Sequence, residues 1–152
     1  MNRRHLILGI AALGGIAAGG ALLATYPAEA ALPPVTVWKS PTCGCCAAWV
    51  EHMRGAGFAV TVHEVEAINP IKAAQGVTPE LASCHTAAVG AYTLEGHVPA
   101  DAVKRLLAEK PKARGLAVPG MPQGSPGMET GVTEPYEILL FGNGEPTVFE
   151  RR

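Results

Sequence analysis

The sequence predicts an α/β domain in the order βαβ, helix, ββα, with a Pro/Gly/Met-rich loop and a C-terminal hairpin behind it. Three observations carry that expectation. A β-branched and aromatic run at 35–39 gives way, after Pro41-Thr42, to an alanine-rich helical stretch. An alternating apolar and polar stretch at 58–65 follows, and a strand–helix–strand connection this short implies a parallel pair. A further helix at 100–110 carries Ala102, Val103, Leu106 and Leu107 on one face.

The first thirty residues read as an address. Arg3-Arg4-His5 is a basic start, 6–26 is uncharged and rich in Leu, Ile, Ala and Gly, and Ala28-Glu29-Ala30 is a small-x-small cleavage site. A retained membrane anchor is the alternative, but the glycines between Gly9 and Gly20 make the segment weakly hydrophobic for a span. The expectation is a cleaved export signal at 1–30 and one domain at 31–152. Arg3-Arg4 also admits the twin-arginine route.

Within 31–152 the elements follow in order. The first helix runs from Cys45 and is closed by Gly55 and Gly57; Met53 falls on its apolar face, while His52 and His63 read as surface or strand residues. A short helix at 67–75 has Pro70 near its start and Gly76 at its end. Strands at 86–89 and 92–94 meet around Gly90. Pro99 and Asp101 open the helix at 100–110, and Pro111 ends it. Strands at 136–141 and 147–149 flank a Gly-Asn-Gly turn and make the hairpin. The order before the loop is the thioredoxin-like plan.

Three of the four cysteines, Cys43, Cys45 and Cys46, fall within four positions where the first strand gives way to the first helix. Unpaired N–H groups and the positive end of the helix dipole favour thiolate over thiol there. Cys43 and Cys46 have the spacing of a thiol–disulfide exchange pair. With Cys45 added, the same stretch is a three-thiolate claw suited to a soft metal such as Cu(I), and neighbouring sulfurs can bridge ions in a cluster. Metal binding ranks ahead of exchange chemistry because a third thiol would compete in an exchange enzyme. A purely structural disulfide ranks below both, since so dense a trio makes strain-free pairing difficult.

The plan brings the loop before the third strand beside the helix start, which makes Cys84 the candidate fourth ligand, with a buried inert thiol as its alternative, and His85 a further candidate, with a capping or solvent-facing ring as its alternative. His97 is another candidate, with capping of the next helix as its alternative. The stretch 115–131 reads as loop throughout, and its Met121 and Met128 offer thioether sulfur, soft enough for Cu(I). Twelve Lys/Arg against thirteen Asp/Glu, without a basic run, leave no footprint for nucleic acid or anionic membrane. No membrane-spanning segment follows the signal.

The motifs Lys39-Ser40-Pro41-Thr42-Cys43-Gly44-Cys45-Cys46, Ser83-Cys84-His85-Thr86, Glu95-Gly96-His97-Val98-Pro99 and Gly115-Leu116-Ala117-Val118-Pro119-Gly120-Met121-Pro122, with Gly124-Ser125-Pro126-Gly127-Met128-Glu129, resemble the CopG-type family of exported thioredoxin-like proteins found among bacterial copper-resistance genes. The resemblance implies copper handling in the periplasm, with a Cys-x-Cys-Cys centre that holds Cu(I), singly or as a cluster, and can cycle its redox state. It assigns that role to Cys43, Cys45, Cys46 and Cys84. The partners this reading calls for are copper ions and a periplasmic copper chaperone or efflux component. A metal-binding protein is expected ahead of an enzyme, the rival being a thiol–disulfide oxidoreductase working through Cys43 and Cys46.

Overall fold

Val35, Val37 and Lys39 turn to the buried side of β1 (Val35–Lys39), with Thr36 and Trp38 half-covered between them, so both faces of this strand are covered. The computed structural model describes residues 31–142 and 144–152; the export signal read at 1–30 lies outside them. β1 pairs in parallel with β2 (Val60–Glu64) and antiparallel with β3 (His85–Val89). β3 turns at Gly90 into β4 (Tyr92–Glu95), placing Thr86 opposite Glu95. Among the described residues the sheet has seven strands in the order β2-β1-β3-β4-β5-β6-β7.

Three α-helices among the described residues cover it. α1 (Gly44–Gly55) buries Cys46, Trp49, Val50 and Met53, the i, i+3, i+4, i+7 stripe of an amphipathic helix. It starts one residue earlier than the sequence suggested, with Cys43 as its cap. α2 (Asn69–Ala74) has Pro70 in its first turn and is followed by a short 3₁₀ turn at Pro79–Leu81. α3 (Ala100–Glu109) buries Ala102, Val103 and Leu106 and ends on Lys110 in the left-handed conformation.

The pleat shows how the helices are distributed. Leu116 packs with Trp49, Met53, Val103 and Leu106, whereas its neighbour Ala117 packs with Val77, Leu81 and Phe141. Adjacent strand residues face opposite sides, so α1 and α3 lie on one face and the segment around α2 on the other. Full burial of Leu94, Leu106 and Leu116 contributes about 1.5–3 kcal/mol each.

One expectation is corrected here. The stretch 115–131, read as loop throughout, begins with a strand, β5 (Gly115–Ala117), parallel to β4. A Cβ at Gly115 would lie 1.7 Å from the Thr93 carbonyl oxygen, so glycine is what lets these two strands approach. β6 (Glu137–Phe141) then pairs antiparallel with β5, and β7 (Thr147–Arg151) with β6. The hairpin is therefore an extension of the central sheet.

Candidate metal centre

The turn Ser40-Pro41-Thr42 delivers Cys43 to the N-cap of α1, where its Sγ lies 3.3 Å from the Cys46 amide. Cys43 and Cys46 are joined in a disulfide, with their Cα atoms 5.3 Å apart. The sequence reading kept this pair as its second choice, an exchange pair, and ranked only a purely structural disulfide low on grounds of strain. One turn of helix starting at a cap brings positions three apart onto the same side, and Cys45, on a different side of that turn, remains free. Its Sγ lies 3.5 Å from that of Cys43 and 3.8 Å from that of Cys84, the other free thiol.

Cys84 precedes β3 and faces two imidazoles. His97 Nε2 lies 2.9 Å from its Sγ, and His85 Nδ1 3.5 Å. His97 Nδ1 is 2.7 Å from the Pro126 carbonyl oxygen. A carbonyl only accepts, so Nδ1 carries the proton and Nε2 presents its lone pair toward the sulfur. His97 is thus a ring at the site and not a cap for α3. That capping role falls to His52, whose Nε2 accepts the Ala100 amide at 3.0 Å. His52 is half-buried, against its reading as a surface residue; His63 is exposed on β2, and Met53 is buried as expected.

Burial dominates the electrostatics. It pushes the Cys84 thiol up to about 12, with the neighbouring Cys45 sulfur adding to the effect. It also lowers His97 and pushes His85 well down, the latter helped by His97 and Lys72. Both rings are neutral at pH 7 and so able to ligate. The His85 ring packs on Trp49 with centroids 4.4 Å apart and meets His97 edge-on at 5.0 Å. Its Nε2 has no hydrogen-bond partner among the described residues.

The loop after β5 closes over this group. A Cβ at Gly127 (φ +89°) would lie 2.5 Å from the Cys45 carbonyl oxygen and 3.0 Å from the Trp49 amide, so only glycine lets the loop rest on the first turn of α1. The loop meets the site through Pro126 and Gly127. Met121 is half-exposed, and Met128 is partly buried beside Gly127.

Two donor sets result: Cys43, Cys45, Cys46 and Cys84, then Cys84, His85 and His97. Within each, the ligand atoms lie within 4.8 Å of one another. Cys84 belongs to both. Sequence reading missed the Pro126 carbonyl, which no side-chain pattern announces. It also missed a buried Lys72–Glu95 ion pair behind Cys84. No sequence signal announced that pair, because Glu95 ends β4 at the polar position of its alternation.

A family profile described as "Protein of unknown function, DUF411" matches residues 81–128, the span from the 3₁₀ turn through Cys84 and His97 to Met128. A comparison with curated proteins returns no match. Among solved structures, two forms of a protein titled "Copper resistance protein copG" are similar, Form 2 with a TM-score of 0.76 and Form 1 with 0.75. Each is 36% identical and covers 80% of this chain and 98% of its own. The chain belongs to the CopG family. With CopG proteins it shares the mixed α/β architecture, and the disulfide, two free thiols and two buried histidines described above form the sulfur-rich centre of this member.

Proposed function

We propose that this chain is an exported copper-binding protein of the periplasm that captures Cu(I) through thiolates and thereby contributes to copper resistance. Residues 1–30 are its cleaved signal and 31–152 a thioredoxin-like domain. The observation that carries the reading is the convergence of four sulfurs from α1 and the loop before β3 on one spot, with a buried neutral imidazole at 2.9 Å from Cys84. Kinship with a protein titled for copper resistance supports copper as the cargo. Thiolate and imidazole are the donors soft copper prefers, and nothing in the set suits a hard cation. Once a thiol or other two-electron reductant has opened the Cys43–Cys46 disulfide, the ligands are Cys43, Cys45, Cys46 and Cys84, with His85 and His97 on the imidazole side and Met121 and Met128 on the covering loop. Neighbouring sulfurs 3.5 and 3.8 Å apart favour a cluster bridged by cysteine.

A second reading is favoured by one specific observation, the Cys43–Cys46 disulfide at the start of a helix. A thiol–disulfide oxidoreductase would use that pair, with the partly exposed Cys43 as the attacked sulfur and the buried Cys46 resolving.

Competition titration separates the two. Fully reduced protein loaded with Zn(II) should give it up to Cu(I), and the reverse exchange should fail. Stoichiometric zinc that resists excess Cu(I) overturns the copper assignment. Disulfide exchange at the rate of a dedicated oxidoreductase, without copper binding, establishes the second reading in its place.

A further inference from the structure

Behind the sulfur cluster, on the opposite face of the sheet, lies a buried ion pair that the proposed chemistry does not use. His85 shares the α1 face with Ala87 and Val89, so Thr86 between them faces α2. The same alternation on β4 puts Leu94 toward α1 and α3, and Glu95 toward α2. There Glu95, fully buried, meets Lys72, which is 6% exposed. Lys72 Nζ donates to Glu95 Oε1 in a short contact, and to Thr86 Oγ1 at 3.1 Å. Thr86 Oγ1 donates to Glu95 Oε2 at 2.7 Å, and the Ser83 amide donates to Glu95 Oε1 at 2.6 Å.

That last bond joins the two segments bearing the site. Ser83 immediately precedes Cys84, and Glu95 lies two residues before His97. The segments are tied again by the Gly96 amide, which donates to the His85 carbonyl at 3.0 Å. A buried ion pair is a poor device for stability alone, because desolvating both charges offsets their attraction and apolar residues of similar size often do as well. Its better-attested use is to fix a register. We propose that Glu95, held in place by Lys72, is a positioning residue for the copper site: its carboxylate fixes the Ser83–Cys84 segment so that the Cys84 sulfur meets His97 Nε2 and Cys45. The inference rests on the copper-binding reading and assigns Glu95 no contact with metal.

Two double variants test it. Lys72→Met with Glu95→Leu removes both charges and the acceptor for the Ser83 amide. Lys72→Met with Glu95→Gln removes the charges but keeps an acceptor oxygen. Melting temperature, Cu(I) affinity against a chelator of known strength, and the alkylation rate of Cys84 in metal-free protein are measured for each. The leucine variant should stay folded, melting below the parent by no more than the unpaired Ser83 amide and Thr86 hydroxyl cost, bind Cu(I) roughly 10–100-fold more weakly, and expose Cys84 to faster alkylation. The glutamine variant should restore both affinity and slow alkylation. A folded leucine variant with parental affinity and alkylation rate overturns the proposal, as does a glutamine variant as impaired as the leucine one. Should the leucine variant not fold, Ser83→Pro compared with Ser83→Ala isolates the same N–H. Ala82 already has the extended backbone that a following proline requires, and parental affinity in Ser83→Pro overturns the proposal equally. If the parent itself fails to bind Cu(I), the copper reading falls, while the alkylation rates still decide whether Glu95 positions Cys84.

Discussion

Cys45 is the sulfur between the others, 3.5 Å from Cys43 and 3.8 Å from Cys84, and the two proposed chemistries make opposite demands on it. Exchange through Cys43 and Cys46 has no need of Cys45, so Cys45→Ser should leave that activity intact. Copper capture loses a bridging thiolate. Structural thiolate sites bind with roughly 10–16 kcal/mol shared over about four ligands, so one ligand is worth about 3 kcal/mol, on the order of a hundredfold in affinity. Chelator competition should show that loss, and parental copper affinity with intact exchange would place the oxidoreductase first. Cys84 poses a different question. Burial, then the Cys45 sulfur, pushes its thiol up to about 12, and only the thiolate alkylates. In metal-free protein its reaction with iodoacetamide should be slow at pH 8 and climb about tenfold per pH unit toward pH 12. The same shift lowers folding stability as pH rises from the ordinary thiol range toward 12, because the unfolded chain ionises this group first. Peptide-resolved mass spectrometry follows the rate, and a plateau near pH 9 would mean an unperturbed thiol.

Among the elements, α1 was legible because its signals are local: a helix-breaking turn, an apolar stripe at helical spacing and closing glycines. β5 was not. Three residues carry no periodicity, and what makes Gly115–Ala117 a strand is the approach of Gly115 to the Thr93 carbonyl, a contact across 22 positions of sequence. The candidate site divides the same way. Its cysteines announce themselves by spacing. The Cys43–Cys46 bond follows from the same local spacing, whereas the Pro126 carbonyl on His97 and the turning of His97 toward Cys84 are products of tertiary placement. The loop over the site can be tested through Gly127. Alanine there meets the Cys45 carbonyl and adopts a left-handed backbone that costs about 1–2 kcal/mol. Gly127→Ala should therefore lift the loop and free His97 Nδ1 from Pro126, while the sheet, which holds none of these residues, stays folded. Circular dichroism should match the parent and copper retention should fall; parental retention would make the loop a bystander.

At the scale of the whole molecule, the copper reading joins a sulfur site to a place in the cell. Residues 31–152 form a compact unit, and no helix among the described residues is long and apolar enough to cross a membrane. The proposed domain and the proposed signal at 1–30 can be separated experimentally. The Cys43–Cys46 disulfide suits an oxidising compartment such as the periplasm. With that bond closed, two thiols remain for metal, Cys45 and Cys84; opening it by two electrons makes four. A protein lacking residues 2–30, made in the cytosol and purified under reducing conditions, should show the melting temperature and Cu(I) affinity of the exported form after reduction. It should nonetheless fail to protect a copper-sensitive host, whereas the full chain protects and yields mature protein beginning at Ala31 by mass spectrometry. Growth in graded copper reads the first outcome. Equal protection by the cytosolic form would show that capture does not depend on the compartment and would remove the periplasm from the proposed function, leaving the thiolate chemistry to stand alone.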